Sequence, residues 1–203
     1  MQELIDVQLE DQSFDDQDFF DVDWRNARFL RCRFQGTDFR EARTDRCVFD
    51  TCDFTAARLN LSEHSGSAFV NCSFRMAKLF GSRFVECKLT GSNFEQADLS
   101  SVVVTGGDWS YVNLRQQDLS GRKFRSLRLV SADLYGCDLR KADLRDADLS
   151  NAILGQVQMR GADLRGANLE GIDLTSFDLS GVRIDLAQAI AVASAYGAIV
   201  DPS

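Results

Sequence analysis

Six cysteines and one histidine are the side chains of this 203-residue chain that could serve a metal ion or a nucleophile. A zinc site needs ligands that converge at paired spacing, usually with histidine among them, and a catalytic cysteine needs a base beside it. His64 is the only histidine, and no glycine-rich phosphate loop is present. We therefore expect no catalytic residue, no cofactor and no metal, so that the chain is not an enzyme. The cysteines are Cys32, Cys47, Cys52, Cys72, Cys87 and Cys137.

Large apolar residues recur at every fifth position of the chain. From Leu4 to Ile184, 35 of 37 such positions hold Leu, Phe, Trp, Val, Met or Ile, and the exceptions are Thr44 and His64. Neither an α-helix nor a β-strand has this period. The position two residues earlier is mostly Ala, Cys, Ser, Thr or Val, and it holds all six cysteines. One large and one small inward residue in each five predict a backbone that turns a corner every five residues, with thiols that pack as small apolar groups. Thr44 and His64 are expected to stack in adjacent coils, either as a satisfied polar contact, which we favour, or as a polar pocket or local bulge.

The runs ADLYG CDLRK ADLRD ADLSN (132–151) and ADLRG ANLEG IDLTS (162–176) resemble the pentapeptide-repeat proteins. This resemblance implies an all-β fold, a right-handed quadrilateral parallel β-helix with 20 residues in each of about nine coils, over residues 1–184. Residues 185–203 leave the period, and Asp185 is expected to cap a short C-terminal α-helix that Gly197 ends. Its apolar face either covers the last coil or joins two copies, and the resemblance favours a homodimer through this end. The face comprises Leu186, Ala189, Ile190 and Ala193.

The charge of the chain is concentrated at its N-terminus. Residues 1–24 hold nine acids and neither Lys nor Arg, which leaves 31 − 9 = 22 acids against 23 bases in residues 25–203. The net charge of −8 disfavours direct binding to nucleic acid. The longest apolar stretch, residues 187–200, is too short and too mixed to span a bilayer, and the acidic N-terminus is unlike a signal peptide. We expect a soluble, cytoplasmic protein with no membrane contact.

Aspartates precede the large inward residue on several coils and would line up on the outer walls. Asp98, Asp118 and Asp138 stand on consecutive coils, so their carboxylates are expected at the ~4.8 Å spacing of paired strands. Aspartate at this position can also favour the corner turn by hydrogen bonding to nearby backbone, and the sequence leaves both interpretations open. One wall carries Asp18, Asp38, Asp98, Asp118, Asp138 and Asp178, and a neighbouring wall carries Asp133 and Asp173.

Three segments resemble one branch of the family, the MfpA-like and Qnr-like fluoroquinolone-resistance proteins. They are SEHSGSAFVNCSF (62–74), GSRFVECKLTGSNF (81–94) and VRIDLAQAIAVASAYG (182–197). The resemblance implies a DNA mimic that binds and modulates DNA gyrase, protecting it from fluoroquinolones, with the aspartate rows as the binding surface. No insertion interrupts the five-residue register, so we expect no loop-dependent mechanism. A scaffold or immunity protein that binds an unrelated protein partner is the alternative.

Overall fold

The computed structural model describes residues 3–201, and it confirms the predicted β-helix. Strands that lie twenty residues apart pair in parallel, as in Leu4 with Trp24 and Thr44 with His64. Regular strands span about five turns rather than nine, and beyond them isolated bridges continue the same step as far as Asp163 with Arg183. The strands are three residues long because a corner follows each inward residue.

The strands lie on two walls of the β-helix. A six-stranded sheet, in the order β1-β3-β5-β7-β9-β10, comprises β1 (Glu3–Ile5), β3 (Asp23–Arg25), β5 (Arg43–Asp45), β7 (Glu63–Ser65), β9 (Arg83–Val85) and β10 (Val103–Thr105). A four-stranded sheet comprises β2 (Gln8–Glu10), β4 (Arg28–Leu30), β6 (Val48–Asp50) and β8 (Ala68–Val70).

Aromatic rings fill the N-terminal half of the interior as continuous stacks. On one wall Phe34, Phe54, Phe74 and Phe94 follow each other with centroid distances of 4.9, 5.0 and 4.8 Å and nearly parallel planes. Trp109 stacks on Phe94 at 5.6 Å, and leucines take over the core beyond it. The large inward residues thus stack directly on one another from coil to coil, as the five-residue period predicts.

The small inward side chains lie against the carbonyl 23 residues earlier, on the preceding coil. The Ser82 hydroxyl donates to the Leu59 carbonyl at 2.7 Å, and the Cys87 thiol to the His64 carbonyl at 3.3 Å. All six cysteines are buried and free, as predicted. Burial raises the pKa of Cys47, Cys87 and Cys137 to about 11. These thiols therefore serve as packing groups.

On two adjacent walls the ladder of backbone hydrogen bonds stops between one coil and the next. The Val103 N–H donates to the Ser82 carbonyl at 2.9 Å, and the Phe124 N–H to the Asp143 carbonyl at 2.8 Å. Within the described chain, however, no backbone hydrogen bond or bridge joins residues 98–106 to residues 118–125. The other two walls stay paired at this level, through Asp108 with Arg128 and Asn113 with Asp133. We call the opening between residues 98–106 and 118–125 the rift.

The rift coincides with large residues at three successive small inward positions: Gln117, Arg122 and Leu127. The Gln117 amide reaches the Phe94 carbonyl, 23 residues earlier, at 2.9 Å. By the same step of 23 residues, Arg122 corresponds to Leu99, with which it lines a small apolar cavity, and Leu127 corresponds to Val104. Alanine, serine or cysteine at these positions lets two coils approach to hydrogen-bonding distance, whereas Arg122, at the corner between the two open walls, is too long for that approach.

Helix α1 (Leu186–Ala195) closes the C-terminal end, and Asp185 caps it in a reciprocal capping box with Gln188. Gln188, not the predicted apolar face, makes the buried contact, because its amide donates to the carbonyls of Leu164 and Ala167 at 2.6 and 2.8 Å. Leu186 is 79% exposed and Ile190 41%. Ala189 and Ala193 are half-buried, and Val192 packs against the core. Gly197, at φ +84°, follows the helix as predicted.

Candidate protein-binding surface

All eight aspartates of the predicted rows accept a hydrogen bond from the backbone N–H two residues later. For Asp98, Asp118 and Asp138 the distance from Oδ1 to that nitrogen is 3.0 Å. The corner-turn interpretation therefore describes every one of them. The same bond is made by Asp18, Asp38, Asp133, Asp173 and Asp178, with distances from 2.8 to 3.1 Å.

The predicted ladder of three consecutive carboxylates is interrupted. Backbone bridges join Asp118 with Asp138 and Lys78 with Asp98, but the rift separates Asp98 from Asp118. The expectation of regular spacing was wrong at this step, because large residues at the small inward positions hold the two coils apart. Among the three, only Asp118 and Asp138 lie on directly paired coils.

Arginines neutralise some of the row aspartates. Asp38 is only 4% exposed and forms ion pairs with Arg40 at 2.7 Å and Arg58 at 3.0 Å. Arg140 donates to both side-chain oxygens of Asp138, from Nε to Oδ1 and from Nη2 to Oδ2. A fourth pair joins Arg115 to Asp133 at 3.0 Å. The exposed carboxylates of the rows are Asp18, Asp118, Asp173 and Asp178.

The corner turn lowers the pKa of three of the four exposed carboxylates. Hydrogen bonds from Ser120 hold the pKa of Asp118 below its usual range, and those from Ser180 do the same for Asp178. Bonds from Thr175 lower the pKa of Asp173. The corner turn therefore favours the anionic form of these side chains and fixes their direction.

The acidic first coil is partly neutralised from the coil below. Arg31 forms ion pairs with Glu10 and Asp11, and Arg43 with Asp21 at 3.2 Å. Within residues 3–201, Asp6, Asp16 and Asp18 have no ion-pair partner. Since surface ion pairs of this kind contribute little to stability, their main effect is to reduce the negative field of this end.

The buried histidine is a packing group, as the sequence predicts. Its Nδ1 lies 2.8 Å from the Thr44 hydroxyl and its Nε2 2.9 Å from the Ser62 hydroxyl. Burial lowers the pKa of His64 to about 3, so the ring is neutral. Among residues 3–201, no three His, Cys, Asp or Glu side chains are placed to hold a metal ion. No helix in the same range is long and apolar enough to cross a membrane.

Two sequence profiles match the chain. The profile for pentapeptide repeats matches eight copies over residues 32–75 and 142–181. The profile for a pentapeptide repeat region matches residues 77–152. The chain belongs to the pentapeptide-repeat family. No curated protein sequence matches it.

Solved structures of QnrB1, a plasmid-mediated fluoroquinolone resistance protein, share the fold of this pentapeptide-repeat protein. One trypsin-treated variant of QnrB1 superposes with a TM-score of 0.87 at 22% identity, over 98% of this chain and 100% of that one. A second trypsin-treated variant gives 0.85 at 22% identity, over 98% and 99%. Full-length QnrB1 gives 0.66 at 20% identity, over 97% and 100%. At these identities the likeness establishes the β-helix.

Two features of this pentapeptide-repeat protein were not predicted from its sequence. Gln188 joins α1 to the last coils, and Arg122 lies in the rift with its Nε atom buried and without a hydrogen-bond partner in the described residues. The signal for Arg122 was present, because a long cation stands at a position that is mostly Ala, Cys, Ser, Thr or Val.

Proposed function

We propose that this pentapeptide-repeat protein acts in the cytoplasm and binds DNA gyrase in place of DNA, and that binding protects the enzyme from fluoroquinolones. The observation that carries the proposal is the set of exposed, ionised aspartates at fixed corners of the rod. The resemblance of three segments to the MfpA-like and Qnr-like proteins supports gyrase as the partner. The fold shared with QnrB1, a plasmid-mediated fluoroquinolone resistance protein, agrees with it.

A single carboxylate can serve both the corner turn and a partner protein. The bonds from Ser120 and Ser180 use the Oδ1 atoms of Asp118 and Asp178. Both carboxylates are exposed and, within the described residues, neither forms an ion pair, so each can still accept from lysine or arginine side chains of a DNA-binding groove. The turn thus orients the anion that a partner would bind. Attraction between such charges falls as salt screens it.

The test is a gyrase supercoiling assay with and without ciprofloxacin, combined with binding measured at rising salt. The changes Asp118→Asn and Asp178→Asn keep an Oδ1 acceptor for the turn but remove the charge, so we expect weaker binding and weaker protection with an unchanged melting temperature. Asp138→Asn is the matched control, because Arg140 already neutralises that carboxylate. Equal affinity of all three variants and the unmodified protein would refute the proposal.

The alternative function has its own outcome in the same assay. In that outcome, the protein changes neither supercoiling by gyrase from the native host nor the drug sensitivity of that gyrase at any salt concentration. This result would leave a scaffold or immunity role with an unrelated protein partner. Binding that is insensitive to salt would instead indicate recognition by shape and apolar contact.

We propose in addition that two copies join through the C-terminal end. Leu186 and Ile190 are exposed on one face of α1, and Tyr196 and Ile199 beyond it are 67% and 98% exposed. Exposed apolar residues grouped at one end of a rod are typical of a contact surface. Ile190→Glu is expected to give a monomer by light scattering, while Ala195→Glu, on another side of the helix, should leave the dimer intact. A monomeric unmodified protein would contradict this proposal.

A further inference from the structure

The rift leaves two extended edges of backbone facing each other without hydrogen bonds between them. A cleft of about 500 Å³ opens there, lined by residues 102–106 on one side and residues 121–123 and 125 on the other. Backbone N–H and C=O groups away from bulk water nearly always find partners. An extended peptide presents both kinds of group at the spacing of a strand, which is the basis of β-strand addition.

The cleft also carries positive charge that has no ion-pair partner within residues 3–201. Arg122 and Lys123 line it, whereas Arg125 is tied to Asp146 at 3.1 Å. Within the described residues the buried Nε of Arg122 has no hydrogen-bond partner, and neither has Nε1 of Trp109, which lines the small apolar cavity next to Arg122. Buried donors without acceptors are costly, and a guanidinium most favours a carboxylate.

Valines give the same edge an apolar surface. Val102, Val103 and Val104 line the cleft, and Val103 is 39% exposed at a strand that has a neighbour on one side only. Val102 and Val104 occupy inward positions of the repeat, whereas Val103 and Lys123 face outward. A ligand that alternates aliphatic and acidic side chains would therefore place the aliphatic ones inward against Val102 and Val104 and the acidic ones outward at Lys123.

We propose that the rift binds an extended acidic segment of a partner protein by β-strand addition, with acidic side chains facing outward at Lys123, an acceptor for Arg122, and aliphatic side chains inward against Val102 and Val104. This goes beyond the binding of gyrase as a DNA mimic, because the ligand has the opposite charge to a DNA-binding groove. The two proposals fail separately, since the test below contains no gyrase.

The first experiment measures the fluorescence anisotropy of a labelled nine-residue peptide that alternates valine with glutamate. We expect it to bind, and Lys123→Glu to weaken binding at least tenfold. Lys88→Glu is the control, because Lys88 is an exposed lysine at the same position of its repeat and lies outside the rift. A matched peptide with lysine in place of glutamate, and one with N-methylated backbone, should not bind.

The second experiment follows hydrogen exchange of the Val104 and Lys123 amides in the full-length protein. In the free protein we expect them to exchange faster than the Phe84 amide, whose strand is paired on both sides, and to slow when the acidic peptide is added. Arg122→Ser, which places the usual small residue between the coils, should slow both amides and abolish peptide binding.

Three results would overturn the proposal. They are equal binding of the acidic and basic peptides, no effect of Lys123→Glu, and exchange at Val104 as slow as at Phe84 in the free protein. A dimer that Arg122→Ser converts to a monomer would assign the rift to a second copy of this chain instead, and would overturn it as well.

Discussion

Mild acid should destabilise this protein through one side chain, His64. The ring is 3% exposed, it contacts the hydroxyls of Thr44 and Ser62, and it stacks on Phe84 with the centroids 4.9 Å apart. In the folded state the pKa of His64 is about 3, against 6.5 for a free histidine, because burial disfavours the charged ring. The unfolded chain therefore takes up a proton at a pH where the folded chain does not.

The sign and the size of the effect follow from proton linkage. Above pH 6.5 the ring is neutral in both states and contributes no pH dependence, and stability is then lost progressively as the pH falls from 6.5 toward 3. Between pH 7.5 and pH 5 the free energy of unfolding falls by about 2 kcal/mol. Each pH unit below 6.5 lowers it by about 1.4 kcal/mol. A loss of this size is a large fraction of the stability of an ordinary domain.

Urea titrations at pH 7.5 and pH 5.0, followed by tryptophan fluorescence, measure this loss. Trp24 reports directly, because it pairs with Thr44 on the coil next to that of His64. His64→Phe places the usual inward residue at this position, while Thr44 keeps its contact with the Ser67 hydroxyl at 3.0 Å. We expect the unmodified protein to lose about 2 kcal/mol more than the variant between the two pH values. Equal losses would refute the argument, since the surface carboxylates are common to both proteins.

Three further predictions concern packing at single positions. Gly107→Ala should lower stability by about 2 kcal/mol or more in thermal unfolding, because the new Cβ would lie 2.1 Å from the Cys87 carbonyl oxygen. Gly121→Ala is the control: no atom lies within 4 Å of its Cβ, and it should cost about 1 kcal/mol. Gln188→Ala should lower the free energy of unfolding by about 2 kcal/mol and speed hydrogen exchange in α1, because two buried carbonyls lose their donor. Ser194→Ala is the control and should change stability by under about 0.5 kcal/mol. Ellman's reagent should find no reactive thiol in the folded protein and six after unfolding, and rapid reaction of the folded protein would contradict the packing of the cysteines.

The period of five was sufficient to predict the interior of this protein. It placed Thr44 beside His64 and put every cysteine inside, because the inward direction is fixed by position in the repeat and does not depend on remote contacts. The cap at Asp185 was predictable for the same reason, since its hydrogen bonds are local.

The departures depend on contacts between coils, which the period does not specify. Asp98 and Asp118 are twenty residues apart like any paired residues, and only the size of Arg122 and its neighbours separates them. Gln188 was likewise passed over, because a polar residue among alanines looks solvent-facing until the carbonyls of Leu164 and Ala167 are seen above it. For the aspartate rows, the sequence predicted the positions but not which carboxylates arginine would neutralise.

The break in the hydrogen-bond ladder gives the rod a preferred direction of bending. Each coil is hydrogen-bonded only to its neighbours, so the stiffness of the rod is set by its most weakly bonded pair of coils. At the rift, two walls are joined by backbone hydrogen bonds and two are not. A transverse load would flex the molecule there, as a hinge between an aromatic segment and an aliphatic one. The curvature of the rod can therefore change without any change in the structure of either segment.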